Sequence, residues 1–241
     1  MTKKPKRLKI YASKWHLRLT FLLLIVPFLF LFLFSRFEHI GTGQLFLDLG
    51  VSVSRLAAAY VVSVVLAWIL GISFYRGRRS EVALPIFDVL QSFPTFAALP
   101  LAALLFGASE TTVFIALVIT VIWPILFSVL SSLKLQRHDW EEVTEIYRLP
   151  RWQYFRKFLW PISIPGLVTG SIIGLGEGWE ALVATEIIVG AKDGLGSFFQ
   201  TFSSNAPITG LGILGLLLLI FTINKIIWLP LLDESHKLLE D

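Results

Sequence analysis

The sequence contains no cysteine and few charged residues, and these shortages exclude several classes of protein. Without cysteine, neither disulfide bonds nor a cysteine-ligated metal site can contribute to the fold. Only 16% of the 241 residues are Asp, Glu, Lys or Arg, whereas about a quarter are charged in a typical soluble domain. Hydrophobic residues reach 55%, and the mean hydropathy is +0.74. The composition therefore favours a membrane protein over a soluble domain.

Motifs for catalysis and for nucleotide binding are also missing. The sequence has neither the phosphate-binding pattern G-x-x-x-x-G-K-[ST] nor the nucleophile pattern G-x-S-x-G. Its four histidines lie far apart in the sequence, without metal-ligand spacing. We therefore expect no catalytic residue, no metal site and no cofactor in this chain. The net charge of +4 alternates with apolar runs instead of forming one patch, so we expect no nucleic-acid partner.

Long apolar runs are what the sequence has in abundance. Crossing a bilayer as a helix takes about 20 predominantly apolar residues. The runs therefore predict an all-α, polytopic membrane protein with about six transmembrane helices. A signal peptide is the alternative for the first run, but that run exceeds the usual length of about 7–15 residues and no A-x-A-like site follows it. The predicted spans are residues 17–34, 53–75, 89–106, 111–133, 162–188 and 209–229.

The positions of lysine and arginine predict the orientation of these spans. With the N-terminus in the cytoplasm, only Arg36, Arg55 and Lys192 of the 21 basic residues lie outside. Cytoplasmic loops carry an excess of basic residues, so we expect both termini in the cytoplasm and the chain in the inner (plasma) membrane. The predicted divisions are a basic cytoplasmic N-terminus (1–16), a transmembrane domain (17–229) and a cytoplasmic tail (230–241).

The fifth predicted span combines glycines with acidic residues. Glycine recurs every four residues from position 166 to position 178, a pattern that lets a second helix approach closely. Glu177 and Glu180 share a helical face within the span and predict either a solute pathway or a buried pairing. Glu186 lies near the outer end of the span, at a depth similar to that of Arg55 in the second span. These two residues predict a structural ion pair.

The segment between the fourth and fifth spans is basic, amphipathic and rich in tryptophan, and residues 142–166 read EVTEIYRLPRWQYFRKFLWPISIPG. It resembles the EAA loop of permease subunits of binding-protein-dependent ABC importers, in which a proline follows the first glutamate after nineteen residues. Glu142 and Pro161 take those positions here. Val143 and Thr144 replace the two alanines of the family pattern, and Arg148 replaces its glycine.

Two further stretches resemble the nitrate/sulfonate/taurine branch of these permeases. They are PIFDVLQSFPTFAALPLAALLFG at residues 85–107 and GWEALVATEIIVGAKDGLG at residues 178–196. The resemblance implies a type I ABC importer permease-like fold over the transmembrane domain, with an EAA-like coupling loop at about 138–161. The implied function is to form the solute path of an importer for a small anion-type nutrient.

The resemblance also implies partners and site residues. A cytoplasmic ABC ATPase would bind ATP and Mg²⁺ and grip the coupling loop, so that this chain is a transport subunit and not an enzyme. A second permease copy or paralogue, an extracytoplasmic solute-binding protein and membrane lipid complete the expected partners. The implied ATPase-coupling residues are Glu141, Glu142, Glu145, Tyr147, Arg148, Arg151 and Pro161. The residues assigned to the solute pathway are Phe93, Pro94, Glu177, Trp179 and Glu180.

Two alternatives remain from the residues alone. A proton-coupled secondary transporter would use Glu177 and Glu180 as proton sites, and a membrane-embedded enzyme would use the same acids in catalysis. The acids also leave a cationic or neutral heterocyclic nutrient open as the solute, because an anion favours basic groups or helix N-termini along its path.

Overall fold

The computed structural model describes residues 14–135 and 150–240, and this part of the chain is helical without any β-strand. The all-α prediction is thereby confirmed. The α-helices are α1 (Lys14–Phe37), α2 (Thr42–Phe74), α3 (Gly77–Gln91), α4 (Thr95–Phe106), α5 (Glu110–Leu135), α6 (Arg151–Tyr154), α7 (Trp160–Val189), α8 (Leu195–Thr201), α9 (Ala206–Ile223) and α10 (Leu229–Glu240). Two π-helical turns, π1 (Phe155–Leu159) and π2 (Asn224–Trp228), join α6 to α7 and α9 to α10 without a break.

Within the described residues, four helical stretches are long and apolar enough to cross a membrane. They are α2, the part of α5 over Glu110–Lys134, the continuous stretch Arg151–Val189 and the stretch Ala206–Ser235. The pair formed by α3 and α4 passes the same test and makes a fifth candidate, although it is bent by 81° at its break. The first predicted span falls within α1, whose apolar part is described over Ile25–Phe37.

The third predicted span is not one straight helix, and its break has a local cause. Helix α3 ends at Gln91 and α4 begins at Thr95. The chain therefore turns inside the apolar run at residues 89–106, which the sequence predicts as one span. Pro94, with φ −74° and ψ 79°, lies directly before α4. Proline lacks the N–H that a helix interior needs, and it disfavours helical geometry in the preceding residue. The break therefore follows from the position of this proline.

The hydrophobic core is centred on α5, which packs between α2 and α7. Leu117, Val121, Ile125 and Val129 recur every four residues along α5 and have no exposed surface. This spacing aligns them on one helical face, where they contribute to a single apolar cluster with residues of α2 and α7. The α2–α5–α7 unit is the rigid frame on which the other helices are arranged.

The glycines of the fifth predicted span explain how closely α7 approaches α5. A Cβ atom added at Gly170 would lie 2.5 Å from the Cα of Ile125 and 2.8 Å from the carbonyl oxygen of Pro124. A Cβ atom at Gly166 would lie 2.5 Å from the carbonyl oxygen of Ser128. No side chain fits into such gaps between backbones. The glycine stripe therefore serves helix packing, as its spacing predicts.

Candidate functional site: the α3–α4 cleft

The break between α3 and α4 borders a cleft of about 510 Å³, which is also lined by α5 and α7. Phe93 and Pro94 contribute from the break itself, and Glu177 contributes from α7. The structure thus brings together three of the five residues that the sequence assigns to a solute pathway. Most of the remaining lining is aromatic or hydroxyl-bearing and includes Phe96, Trp123, Phe127, Thr95, Thr120 and Ser128.

Glu177 is the one ionisable side chain among the described residues that line this cleft. It lies roughly 26 Å from the start of α7 at about 1.5 Å per residue, so it falls within the membrane-spanning part of the helix. No described residue donates a hydrogen bond to its carboxylate, and no described cation pairs with it. An unpaired acid at this depth is costly and generally marks a functional position.

The other two residues assigned to the pathway do not line the cleft. Trp179 is buried and belongs to the hydrophobic core, with 7% of its surface exposed. Glu180 is exposed but lies outside the cleft lining. Successive helical residues are rotated by about 100°, so Trp179 lies on the far side of α7 from Glu177. Glu177 and Glu180 are three residues apart and therefore neighbours on the helix, but only Glu177 lines the cleft.

A second polar site lies at the far end of α7, where Glu186 is completely buried. The Oγ of Ser52 donates to Oε1 of Glu186 at 2.8 Å, and the backbone N–H of Gly196 donates to Oε2 at 2.8 Å. Nη1 of Arg55 lies 2.7 Å from Oε1 of the same carboxylate. The structure therefore brings Arg55 and Glu186 into direct contact. We call the residues Ser52, Arg55, Glu110 and Glu186 the Glu186 cluster.

Arg55 links the Glu186 cluster to two further elements. Its Nε donates to Oε2 of Glu110 at 2.7 Å, and its Nη2 contacts Oε1 of the same residue, at the start of α5. Its Nη1 also donates to the carbonyl oxygen of Asp193 at 2.8 Å, in the turn between α7 and α8. One guanidinium thus joins α2, α5, α7 and the following turn. This arrangement fixes the relative positions of the helices that carry the cleft.

The sequence reasoning missed Asp48, Ser52 and Gly194 at this end of the molecule. Asp48 accepts the backbone N–H of Gly194 at 2.9 Å, and Ser52 accepts that of Leu195 at 2.8 Å. Gly194 has a φ of 125°, and a Cβ atom there would lie 2.7 Å from both carboxylate oxygens of Glu186. A signal was present, because Asp48, Ser52 and Arg55 are polar residues at helical spacing on one face of an otherwise apolar helix.

The segment that the sequence predicts to couple to an ATPase is only partly covered by the structure. Glu141, Glu142, Glu145, Tyr147 and Arg148 lie outside the described residues. Arg151 is exposed at the start of α6, and Pro161 lies half-buried in the first turn of α7. Pro161 lacks an N–H for the carbonyl four residues earlier, and the turn before it is the π-helical turn π1.

Contacts tie the start of α7 and its preceding turns to α2. The hydroxyl oxygens of Tyr154 and Tyr75 lie 2.9 Å apart, and the Arg76 guanidinium lies over both rings. Nε1 of Trp68 donates to the Oγ of Ser163 at 2.9 Å. These contacts join α2 to the segment that precedes and begins α7.

The described residues form helices long and apolar enough to cross a membrane, with a broken helix beside a cleft, and this arrangement is typical of membrane transport proteins. Residues 63–233 match the family described as "Binding-protein-dependent transport system inner membrane component". This match covers more than half of the chain, which therefore belongs to that family. The predicted resemblance to importer permeases is confirmed.

Proteins of known function within this family include several permeases with related sequences. The chain is 31% identical to the "Nitrate import permease protein NrtB" of Synechocystis sp. over 76% of this chain and 69% of that protein. It is 26% identical to the "Bicarbonate transport system permease protein CmpB" of Synechococcus elongatus over 61% and 53%. It is 28% identical to the "Taurine transport system permease protein TauC" of Escherichia coli over 66% and 58%. These similarities identify a transport permease of the nitrate/sulfonate/taurine branch.

Proposed function

We propose that this chain forms the solute path of an ABC importer for a small anion-type nutrient of the nitrate, bicarbonate, sulfonate or taurine class. The substrates named for its relatives support the solute class. The observation that carries the proposal is the α3–α4 cleft, in which Phe93 and Pro94 at a broken helix share a lining with Glu177 within the membrane. A helix break at membrane depth is tolerated where it lines a cavity or is buried in protein.

The cleft is open on one side, and we propose that further subunits close it. In the proposed complex, a second copy of the chain or a paralogue encloses the path from the other side. A solute-binding protein delivers the nutrient at the extracytoplasmic face, and lipid surrounds the apolar outer surface. Both termini and the coupling loop at 138–161 face the cytoplasm, where a separate ATPase binds ATP and Mg²⁺.

The contacts around α7 support a mechanical role for the coupling loop. Because α6, π1 and α7 are continuous, a displacement of α6 also displaces α7. The contacts Tyr154–Tyr75 and Ser163–Trp68 carry that displacement to α2, and the glycine contacts carry it to α5. Closely packed helices move as a unit because packed interiors are poorly compressible. We propose that nucleotide-driven motion of the loop moves α2, α5 and α7 together and so changes access to the cleft.

The two alternative functions gain no support from the site. A secondary transporter that uses Glu177 and Glu180 as a pair would place both acids in one cavity, whereas Glu180 lies outside the cleft lining. A membrane-embedded enzyme that uses the same two acids together would also need both in one cavity. Among the described residues, no group of acidic, histidine or cysteine side chains is arranged to hold a metal ion.

Charge reversal in the coupling loop tests the proposed function. We expect Glu142→Lys to abolish co-purification of the ATPase while leaving membrane insertion intact, because Glu142 takes the first acidic position of the loop pattern. The measurement is the amount of ATPase recovered with the affinity-purified chain from native membrane. Glu38→Lys is the matched control, since Glu38 lies beyond the end of α1, on the predicted outer side. Unchanged ATPase recovery with Glu142→Lys would refute the coupling role.

A further inference from the structure

The charge of the α3–α4 cleft is opposite to what a simple anion requires. Its described lining includes a carboxylate, that of Glu177, and has no Lys, Arg or His. A solute that carries only negative charge would be repelled by this carboxylate, and the repulsion is strong where water is scarce. Nitrate or bicarbonate would meet no compensating cation among these residues. The cleft therefore suits a solute that does not carry negative charge alone.

We infer that the imported solute carries a cationic nitrogen group in addition to its anionic group, and that Glu177 receives this nitrogen within the α3–α4 cleft. The inference rests on the proposed function and specifies the chemistry of the solute. A cleft of about 510 Å³ has the size typical of small-molecule sites, so an amino-substituted organic acid fits, whereas a large peptide does not.

The walls of the cleft suit a cationic nitrogen as well. Phe93, Phe96, Trp123 and Phe127 line the space around Glu177. Aromatic rings attract cations through their electron-rich faces, and the attraction is stronger when the cation has lost its water shell. Hydroxyl and amide groups of the lining add further hydrogen-bond acceptors for an N–H donor. A carboxylate among aromatic rings is a combination well suited to recognise an amine.

A comparison with Glu186, the fully buried acid of α7, shows why the exposed Glu177 is available to a solute. Glu186 is saturated by Arg55, Ser52 and the N–H of Gly196, so no acceptor position remains for a ligand. Glu177 has no such partner among the described residues. Two acids on one helix therefore have different roles, one closing a structural cluster and the other facing an open cleft.

The experiment exploits the absence of cysteine from the chain. Thr95→Cys introduces a single thiol into the cleft lining of the complete, purified importer, and its modification by a thiol reagent is followed over time. The two probes are 2-aminoethanesulfonate and 2-hydroxyethanesulfonate, which differ only in amine against hydroxyl. Ser73→Cys is the control, because Ser73 is an exposed residue of α2 outside the cleft lining. Its modification rate shows whether the probes affect the thiol reagent itself.

We expect 2-aminoethanesulfonate to slow modification of Thr95→Cys by about tenfold more than the hydroxyl probe does, because a charge-assisted hydrogen bond to Glu177 forms only with the amine. Adding Glu177→Gln should remove that difference, whereas adding Glu81→Gln, an exposed acid of α3, should leave it intact. Equal protection by both probes, no protection by either, or a difference that survives Glu177→Gln would overturn the inference.

ATP-driven uptake by the same importer in vesicles separates this inference from the proposed function. Protection at Thr95→Cys reports occupancy of the cleft and needs neither ATP nor transport. If uptake requires ATP but is equally fast for the amine and the hydroxyl probe, the inference is refuted and the proposed function stays intact. Amine-selective protection without any ATP-driven uptake would refute the proposed function instead.

Discussion

Individual acidic residues of α7 acquire their roles from the partners that surround them. Glu186 has no exposed surface and is held by one guanidinium, one hydroxyl and one backbone N–H. A buried charge that loses its partners destabilises a protein strongly, because the desolvation cost remains while the compensating attraction is gone. The Glu186 cluster is therefore expected to be necessary for the folded arrangement of α2, α5 and α7.

Neutralising this carboxylate tests the structural role of the cluster. Glu186→Gln leaves the Arg55 guanidinium with Glu110 as its carboxylate partner but replaces one acceptor oxygen by an NH₂ group, and we expect the free energy of unfolding to fall by about 1–3 kcal/mol. The measurement is the thermal unfolding midpoint of the purified chain in detergent. Glu81→Gln is the control, because Glu81 is exposed on α3. Equal midpoints for the two variants would contradict this account.

Some of these residue positions were predictable from the sequence and others were not. Arg55 and Glu186 stand out because they are charged residues at similar depth in apolar helices. Gly194 does not, because its role depends on a φ of 125° and on the approach of a carboxylate from another element. The separation of Glu177 from Glu180 is also a tertiary property, since both share one helical face in the sequence pattern.

At the scale of helices, the contact between α5 and α7 depends on residues without side chains. The backbone of α5 occupies the space where side chains at Gly166 and Gly170 would lie. Association of helices in lipid relies on close packing, because the surrounding acyl chains are as apolar as the side chains. The α5–α7 contact should therefore be more sensitive to added volume than the rest of α7.

Two glycines of α7 provide a matched comparison. Gly170→Ala adds a methyl group against the backbone of α5, and we expect it to destabilise the chain by about 1–3 kcal/mol through overpacking. Gly176→Ala meets nothing within 4 Å and should be neutral or slightly stabilising, since alanine favours helix more than glycine does. Both variants are assayed by thermal unfolding in detergent. A Gly170→Ala variant as stable as Gly176→Ala would show that the close approach is not important.

Helices are the level at which the sequence was most informative. Apolar runs located the helices because spanning a bilayer imposes length and composition on each of them. The run at residues 89–106 was misleading, since hydropathy does not register a change of direction. Pro94 predicts a break there, but it does not give the bend of 81°. In the structure α4 packs against α5 and α7, whereas α3 packs against α2. The cleft that results was not visible in any single run.

At the scale of the whole molecule, we propose that the chain supplies one side of a solute path and one end of a mechanical lever. The cleft is open, and its lining comes from the end of α3, the break before α4, the start of α4, α5 and α7. The lever is the continuous stretch from Arg151 to Val189, which contacts α2 and α5 along its length. In the proposed importer, neither part transports solute without subunits that close the path and move this stretch. The account therefore describes an importer that works only as an assembly with an ATPase.

Uptake by reconstituted vesicles tests this claim most directly. Vesicles that contain the permease and its ATPase, with ATP inside and the loaded binding protein outside, are compared with vesicles that contain the permease alone. The account predicts accumulation of the labelled solute only when ATPase and ATP are both present, with no effect of an uncoupler. Accumulation by the permease alone, or accumulation that collapses on adding an uncoupler, would contradict it.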